Sequence, residues 1–192
     1  MKTKIIESLI ILLMGSLITL NVANGSQTPI KEGGTLPDFT LTVPKKLENR
    51  YYLGLPETEK FKIHQIKAEV VIIEIFSMYC PHCQREAPSL NDLYNHIESS
   101  EKLRGRIKLI GIGAGNSVYE VDFFKKRYNV QFPLFPDGDF AIHKLIGEVR
   151  TPYFLGIKIQ PDGSHRIFFS KLGGAQDARQ LLDELIQRAE LN

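Results

Sequence analysis

The sequence predicts an α/β fold built on a central mixed sheet flanked by helices, and three stretches carry that reading. The apolar run 70–76, Val-Val-Ile-Ile-Glu-Ile-Phe, has the length and β-branched content of a buried strand, and it feeds directly into a helical segment over 81–99. A second strand over 106–113 and a second helix over 118–128 continue the order strand, helix, strand, which calls for parallel pairing with a right-handed crossover. Two further strands, 153–159 and 166–170, are joined by Pro161-Asp162-Gly163, a turn that makes them an antiparallel hairpin.

Taken in chain order, residues 1–25 read as a secretory signal peptide. Lys2 and Lys4 precede an apolar stretch over 5–20 that is interrupted only by Glu7 and a few small or polar residues, and Ala23 and Gly25 supply small side chains before a cut at Ser26. The alternative is an uncleaved membrane anchor, although the stretch is short for a span of about 20 residues. Either way the domain faces an extracytoplasmic space, the periplasm or the outer face of the membrane in a bacterium, where disulfides persist. Cleavage leaves 167 of the 192 residues, enough for one domain, with 22 basic and 21 acidic side chains. That near-neutral balance gives no electrostatic case for nucleic acid or an acidic partner.

Residues 26–36, polar and containing Gly33 and Gly34, read as a linker to a domain over 37–192. Residues 39–43 alternate as a short strand. The Lys- and Glu-rich stretch 44–68 has Leu53-Gly54-Leu55-Pro56 as a turn and period-two alternation over 61–66, and it reads as an N-terminal hairpin-like extension packed on the sheet. Pro88 kinks the helix 81–99. Residues 131–135 form a short apolar strand, Pro136-Asp137-Gly138 a turn, and 140–146 a helix. The final helix, 177–191, sets Leu181, Leu182, Leu185 and Ile186 on one face.

The chemistry lies in Cys80-Pro81-His82-Cys83, which holds the only two cysteines. A bridge between residues three apart closes too small a loop to staple a fold, so the pair reads as redox-active. Disulfide exchange needs a thiolate, and a free cysteine with a pKa of about 8.5 offers little at neutral pH. Cys80 falls at a helix N-terminus, where unpaired N–H groups and the helix dipole favour negative charge, and Pro81 suits the first turn. His82 can carry positive charge or donate a hydrogen bond, favouring the Cys80 thiolate further. Cys83, one turn inside, is the resolving thiol.

Zinc is the competing use of such a pair, but a structural site needs four ligands, and His64, His96, His143 and His165 are scattered singly. No metal or cofactor is expected. Glu74 is a carboxylate within a buried strand, where charge is rare; either burial raises its pKa and lets it exchange a proton with Cys83, or its side chain lies on a solvated face of the strand end. Glu86, three residues after Cys83, is either a surface glutamate or part of the site. Thr151-Pro152 precedes a strand, and a cis bond there presents the Thr151 backbone to a ligand. The run Gly111-Ile112-Gly113-Ala114-Gly115-Asn116 lacks dinucleotide-fingerprint spacing and reads as a flexible strand-to-helix loop.

Together these residues resemble the extracytoplasmic thioredoxin-like proteins of the TlpA/ResA type over nearly all of 33–190. The resemblance rests on Pro37-Asp38-Phe39, the strand ending in Cys80-Pro81-His82-Cys83, Pro88 and Thr151-Pro152. It implies a thioredoxin-like fold with a central insert, Cys80 as the attacking thiol, Cys83 as its buried partner and Pro152 as a cis-proline holding substrate. Glu74 takes the place of thioredoxin's buried acid, and Glu86 that of a glutamate such proteins often carry. Tyr79 stands where tryptophan is usual and joins Thr151 and Pro152 as a substrate-facing residue. The Pro81-His82 pair is similar to that of the oxidase DsbA, which leaves the direction of electron flow open. The implied activity is thiol-disulfide exchange with protein thiols, apocytochrome c among them, coupled to a membrane or soluble redox partner. Two alternatives stand beside it. One is a thiol peroxidase, suggested by the peroxiredoxin-like stretch 132–137, although the residues before Cys80 lack that family's Pro and Thr. The other is a non-catalytic thioredoxin-like binding or chaperone module.

Overall fold

The computed structural model describes residues 28–191, so the leader read in residues 1–25 lies outside the described residues. Elements follow as β1 (Leu41–Thr42), α1 (Leu47–Leu53), β2 (Lys60–Phe61), β3 (Val70–Phe76), α2 (Pro81–Ser99), β4 (Ile107–Ala114), α3 (Val118–Arg127), β5 (Leu134–Asp137), α4 (Ala141–Leu145), β6 (Tyr153–Ile159), β7 (His165–Leu172) and α5 (Ala178–Ala189). No helix among the described residues is long and apolar enough to cross a membrane.

The main sheet runs β5-β4-β3-β6-β7. Its β3–β4 and β4–β5 pairs are parallel, while β3–β6 and β6–β7 are antiparallel, so the sheet is mixed and β3 lies at its centre. All seven β3 residues are buried, as a strand paired on both edges and covered on both faces requires. Period-two alternation divides its side chains. Val70, Ile72 and Phe76 join the core under α2, α3 and α5, whereas Val71, Ile73 and Ile75 join a second core under the N-terminal extension and α4. Glu74 therefore faces the layer that also contains Cys83 of α2.

The glycine run is strand rather than loop over most of its length. Gly111 and Gly113 lie within β4, and a Cβ on Gly111 would come 2.5 Å from a Leu134 methyl. These glycines make room for packing, and Gly115 alone adopts a positive φ, at 66°. The strand expected over 131–135 sits further along: β5 carries Pro136 and Asp137 into the ladder. Proline is tolerated there because β5 is an edge strand. The Asp137 carboxylate caps the next helix, accepting from the N–H groups of Ile142 at 3.0 Å and His143 at 2.8 Å.

The extension keeps its antiparallel β1–β2 pair but holds a helix between the strands, α1, which the pattern did not reveal. The Leu53-Gly54-Leu55-Pro56 turn is that helix's end: Gly54, at φ 63°, donates to Tyr51 O and Leu55 to Arg50 O, closing a Schellman motif. The alternation over 61–66 also gives way, to a 3₁₀ turn at Ile63–Gln65, because Ile63 and Ile66 are both buried and three apart.

The expected linker is likewise docked over 28–36. Gly33 N–H donates to Ile167 O at 2.8 Å, Ile167 N–H donates to Gly34 O at 2.9 Å, and Leu36 is buried. Thr28 and Pro29 lie against Gly147, which has φ 92°; a Cβ there would sit 2.4 Å from the Thr28 carbonyl oxygen. Gly147→Ala is expected to cost about 1–3 kcal/mol and to loosen residues 28–34, read as a lower melting temperature with faster proteolysis ahead of Gly34. Unchanged cleavage would show that the segment does not depend on this contact.

Candidate active site

The strand β3 delivers the chain into a gripped turn. Cys80 N–H donates to Ser77 O at 3.0 Å, the Met78 N–H donates to Asn116 Oδ1 at 2.8 Å, and Gln84 Nε2 donates to Met78 O at 2.8 Å. Met78 is thus held from both sides of its backbone. Asn116 is fully buried (0% exposed), and its Nδ2 lies 3.5 Å from Ser77 Oγ. Sequence reasoning did not single out this positioning residue, since its partner stands 38 positions earlier; the one available signal is an asparagine closing a glycine run at a strand end.

Cys80 is the N-cap of α2, followed by Pro81 in the first turn. Its sulfur accepts from the Cys83 N–H at 3.3 Å and, as a thiol, donates to the Thr151 carbonyl at 3.3 Å. Partial burial opposes its ionisation, yet hydrogen bonds from the Cys83 thiol, the Thr151 side chain and the N–H groups of Cys83 and His82 outweigh that cost and hold its pKa below the ordinary cysteine value. The contribution of His82 comes from its backbone. Its imidazole is turned aside, with Nδ1 2.9 Å from Arg85 Nη2; a guanidinium only donates, so Nδ1 is the acceptor. The expectation that the ring itself supports the thiolate is corrected accordingly.

Cys83 is completely buried, and desolvation, the charge of Glu74 and the hydrogen bond to Cys80 all push its thiol up. Glu74 is 1% exposed and its Oε1 has no partner among the described residues. Desolvation first, then the charges of Glu86 and Cys80, push its pKa up to about 8. Glu86 is no surface residue: it is 4% exposed, with its carboxylate 3.4 Å from Ala175 N and 3.5 Å from Gln176 Nε2. Burial raises its pKa against hydrogen bonds from the backbone of Ala175 and Gly174 and the nearby charge of Arg85.

The Thr151–Pro152 bond is cis. A cleft of about 350 Å³ on one side of it is lined by His82, Glu86, Pro152 and Gly173, and one of about 600 Å³ on the other by Ser77, Tyr79, Phe140 and Arg150. The fold thus gathers Cys80, Cys83, Glu74, Glu86, Thr151 and Pro152, with Tyr79 on the rim. Of the histidines expected to stand singly, His64 and His165 stack with centroids 5.4 Å apart. Among the described residues, no group of three or more His, Cys, Asp or Glu could hold a metal ion.

Comparison with known proteins agrees with this geometry. The model of the AhpC/TSA family matches residues 33–167. The chain is 26% identical over 111 residues to the thiol-disulfide oxidoreductase ResA of Geobacillus kaustophilus, an alignment covering 58% of this chain and 54% of ResA. The chain therefore spans about half the length of that relative. Among solved structures, the thioredoxin domain of a Bacteroides vulgatus thiol-disulfide oxidoreductase superposes with a TM-score of 0.58 at 14% identity, covering 81% of this chain and 99% of that one. A secreted Mycobacterium tuberculosis disulfide oxidoreductase, homologous to Escherichia coli DsbE, superposes with a TM-score of 0.51 at 21% identity, covering 79% and 94%. The fold is thioredoxin-like.

The environment of Glu74 has a consequence for stability. The folded protein keeps this proton to about pH 8, while an unfolded glutamate releases it near 4.5. Between those values the folded state binds more protons, so stability falls as pH rises, by up to about 1.4 kcal/mol per unit. Urea midpoints for Glu74→Gln are expected to fall less from about pH 5 to about pH 8 than those of the natural chain. Parallel slopes in the two proteins would contradict the assignment.

Proposed function

The chain belongs to the AhpC/TSA family, and on that footing we propose that it is an extracytoplasmic thiol-disulfide oxidoreductase exchanging disulfides with protein thiols through Cys80 and Cys83. One observation carries the reading. Two thiols three residues apart are driven in opposite directions, the accessible one toward thiolate and the buried one toward thiol, with a buried carboxylate on the side of the second. A structural pair needs no such division.

The steps follow from that division. The Cys80 thiolate attacks one sulfur of the partner's disulfide; a bond forms between the two sulfurs as the partner's S–S bond breaks, and its other sulfur leaves as a thiolate that takes up a proton. Cys83 then gives its proton to ionised Glu74 and attacks Cys80 Sγ. The internal disulfide forms as the second partner sulfur leaves, and two electrons have passed to the partner. With a dithiol partner the same steps run in reverse, and Glu74 returns the proton to Cys83. Pro152 and Thr151 form the surface beside Cys80 against which a partner backbone would lie.

The leader read in residues 1–25 and the secreted relative support an extracytoplasmic setting. Protein thiols, including those of apocytochrome c, are the substrates, and a membrane or soluble redox partner resets the pair.

Cys83→Ser is expected to accumulate a mixed disulfide linked through Cys80, visible as a reducible higher-mass species that Cys80→Ser lacks. No such species with any protein partner in cells would sink the proposal and favour a binding or chaperone module, and peroxide consumption by the natural chain would favour a peroxidase. Glu74→Gln is expected to slow resolution of the mixed disulfide about 100-fold. It should also abolish the rise in that rate toward pH of about 8, the value at which Glu74 becomes an available base.

A further inference from the structure

We propose that the cleft of about 600 Å³ between Tyr79 and Phe140 receives the polypeptide segment flanking the partner's reacting cysteine, and that it selects an aromatic or large apolar side chain accompanied by an acidic residue. The inference rests on the disulfide-exchange reading and deepens it by naming a substrate class.

Position comes first. Ser77, Tyr79 and Thr151 line the cleft, and the Thr151 carbonyl lies 3.3 Å from Cys80 Sγ. A segment occupying it is therefore adjacent to the sulfur that is exchanged. Its volume lies within the range of about 300–1,000 Å³ typical of ligand sites, enough for one large side chain with a short stretch of backbone.

The walls are fixed before anything binds. Phe140 adopts φ 61°, a left-handed conformation costing a non-glycine residue about 1–2 kcal/mol. Its ring lies directly on Gly115, where a Cβ would come 2.1 Å from Phe140 Cζ. Even so, Phe140 remains 44% exposed. Gly115 serves both its own φ of 66° and the ring above it, and Phe140 is thereby held in place while still presenting an exposed face to the cleft. Tyr79, opposite and 67% exposed, is held by a hydrogen bond from its hydroxyl to Glu120. That carboxylate is itself fixed by Ser117, from N–H at 2.7 Å and from Oγ at 2.6 Å. Two immobilised aromatic faces lose little freedom on binding.

Charge supplies the second half of the specificity. No carboxylate lines the cleft, and Glu120 at its rim is already engaged. His143 is committed through Nε2 to the Val149 carbonyl at 2.8 Å. The Arg150 guanidinium, like those of Arg104, Arg127 and Arg166, has no ion-pair or hydrogen-bond partner among the described residues, and of these it alone lines the cleft. An unpaired arginine next to Thr151, in a cleft without acids, is complementary to an acidic side chain.

The test uses four synthetic peptides, each with one cysteine capped as a glutathione mixed disulfide, combining Phe or Ala beside the cysteine with Asp or Lys nearby. Their reduction by the reduced protein is followed in low salt alongside that of hydroxyethyl disulfide. The Phe–Asp peptide is expected to react at least about tenfold faster than the Ala–Lys peptide. Arg150→Glu should reverse the preference between Asp and Lys. Phe140→Gly, which keeps the backbone at ease at positive φ, should remove the advantage of Phe. Equal rates for all four peptides, with hydroxyethyl disulfide still reduced, would overturn this inference and leave the oxidoreductase reading intact. Failure to reduce any of the five disulfides would overturn both.

Discussion

The strand β3 is hydrogen-bonded along both edges and covered on both faces, and the placement of the reacting groups follows from that enclosure. Its backbone has no freedom to slip, because a shift of one residue would exchange the two cores it serves. With register fixed, Glu74 faces the α2 layer between Gly111 on one neighbouring strand and Phe154 on the other. A carboxylate there cannot be solvated, and its Oε1 finds no donor, so it holds its proton well above the usual range. The same rigid strand ends in the Ser77–Tyr79 turn, which Asn116 and Gln84 lock. The buried Glu74 carboxyl and the helix that begins at Cys80 are thereby set relative to each other by a single element.

The two thiols show how one fold separates two identical groups. Both are desolvated, and desolvation raises both. At Cys80 hydrogen bonds from the Cys83 thiol, the Thr151 side chain and the N–H groups at the start of α2 overcome that cost; at Cys83, one turn deeper, burial and the charge of Glu74 outweigh the hydrogen bond from the Ser77 backbone. The hydrogen bond between the two side chains widens the gap, since it favours the thiolate of the acceptor and the thiol of the donor at once. Glu74 adds to the gap from the other side. On the proposed exchange reading, the order of events, attack by Cys80 and resolution by Cys83, follows from position along the first turn of a helix.

What could be read from the sequence was local. The buried strand, the helix after it, the Pro161-Asp162-Gly163 hairpin and the final amphipathic helix each declare themselves within about ten residues, and the structure contains them. Glu74 was visible because a charge inside an apolar strand breaks the pattern. The misses share a physical cause in contacts distant along the chain. Glu86 looks like any helix glutamate until the segment 174–176 covers it, some 89 positions later. The linker resembles one until Ile167 pairs with it. The His82 imidazole was assigned to the sulfur by proximity in sequence, yet Arg85, one turn on along the helix, takes the ring. The helix α1 is hidden for a different reason: Gly54, its C-cap, carries the same sequence signal as a turn between strands.

The reduction potential of a pair placed like Cys80 and Cys83 depends on the states in which each interaction exists. A disulfide carries no charge, so every N–H donor that favours the Cys80 thiolate stabilises the reduced form alone and makes the pair more oxidising. The conversion is steep, about 30 mV for each 1.4 kcal/mol. Glu74 works against this: when ionised it repels the Cys80 thiolate and so disfavours the reduced form, but when protonated it imposes no such penalty. The balance between the two therefore shifts with pH across the titration of Glu74. On the proposed exchange reading, a buried acid with a pKa of about 8 makes the driving force of the pair, as well as its rate, depend on pH.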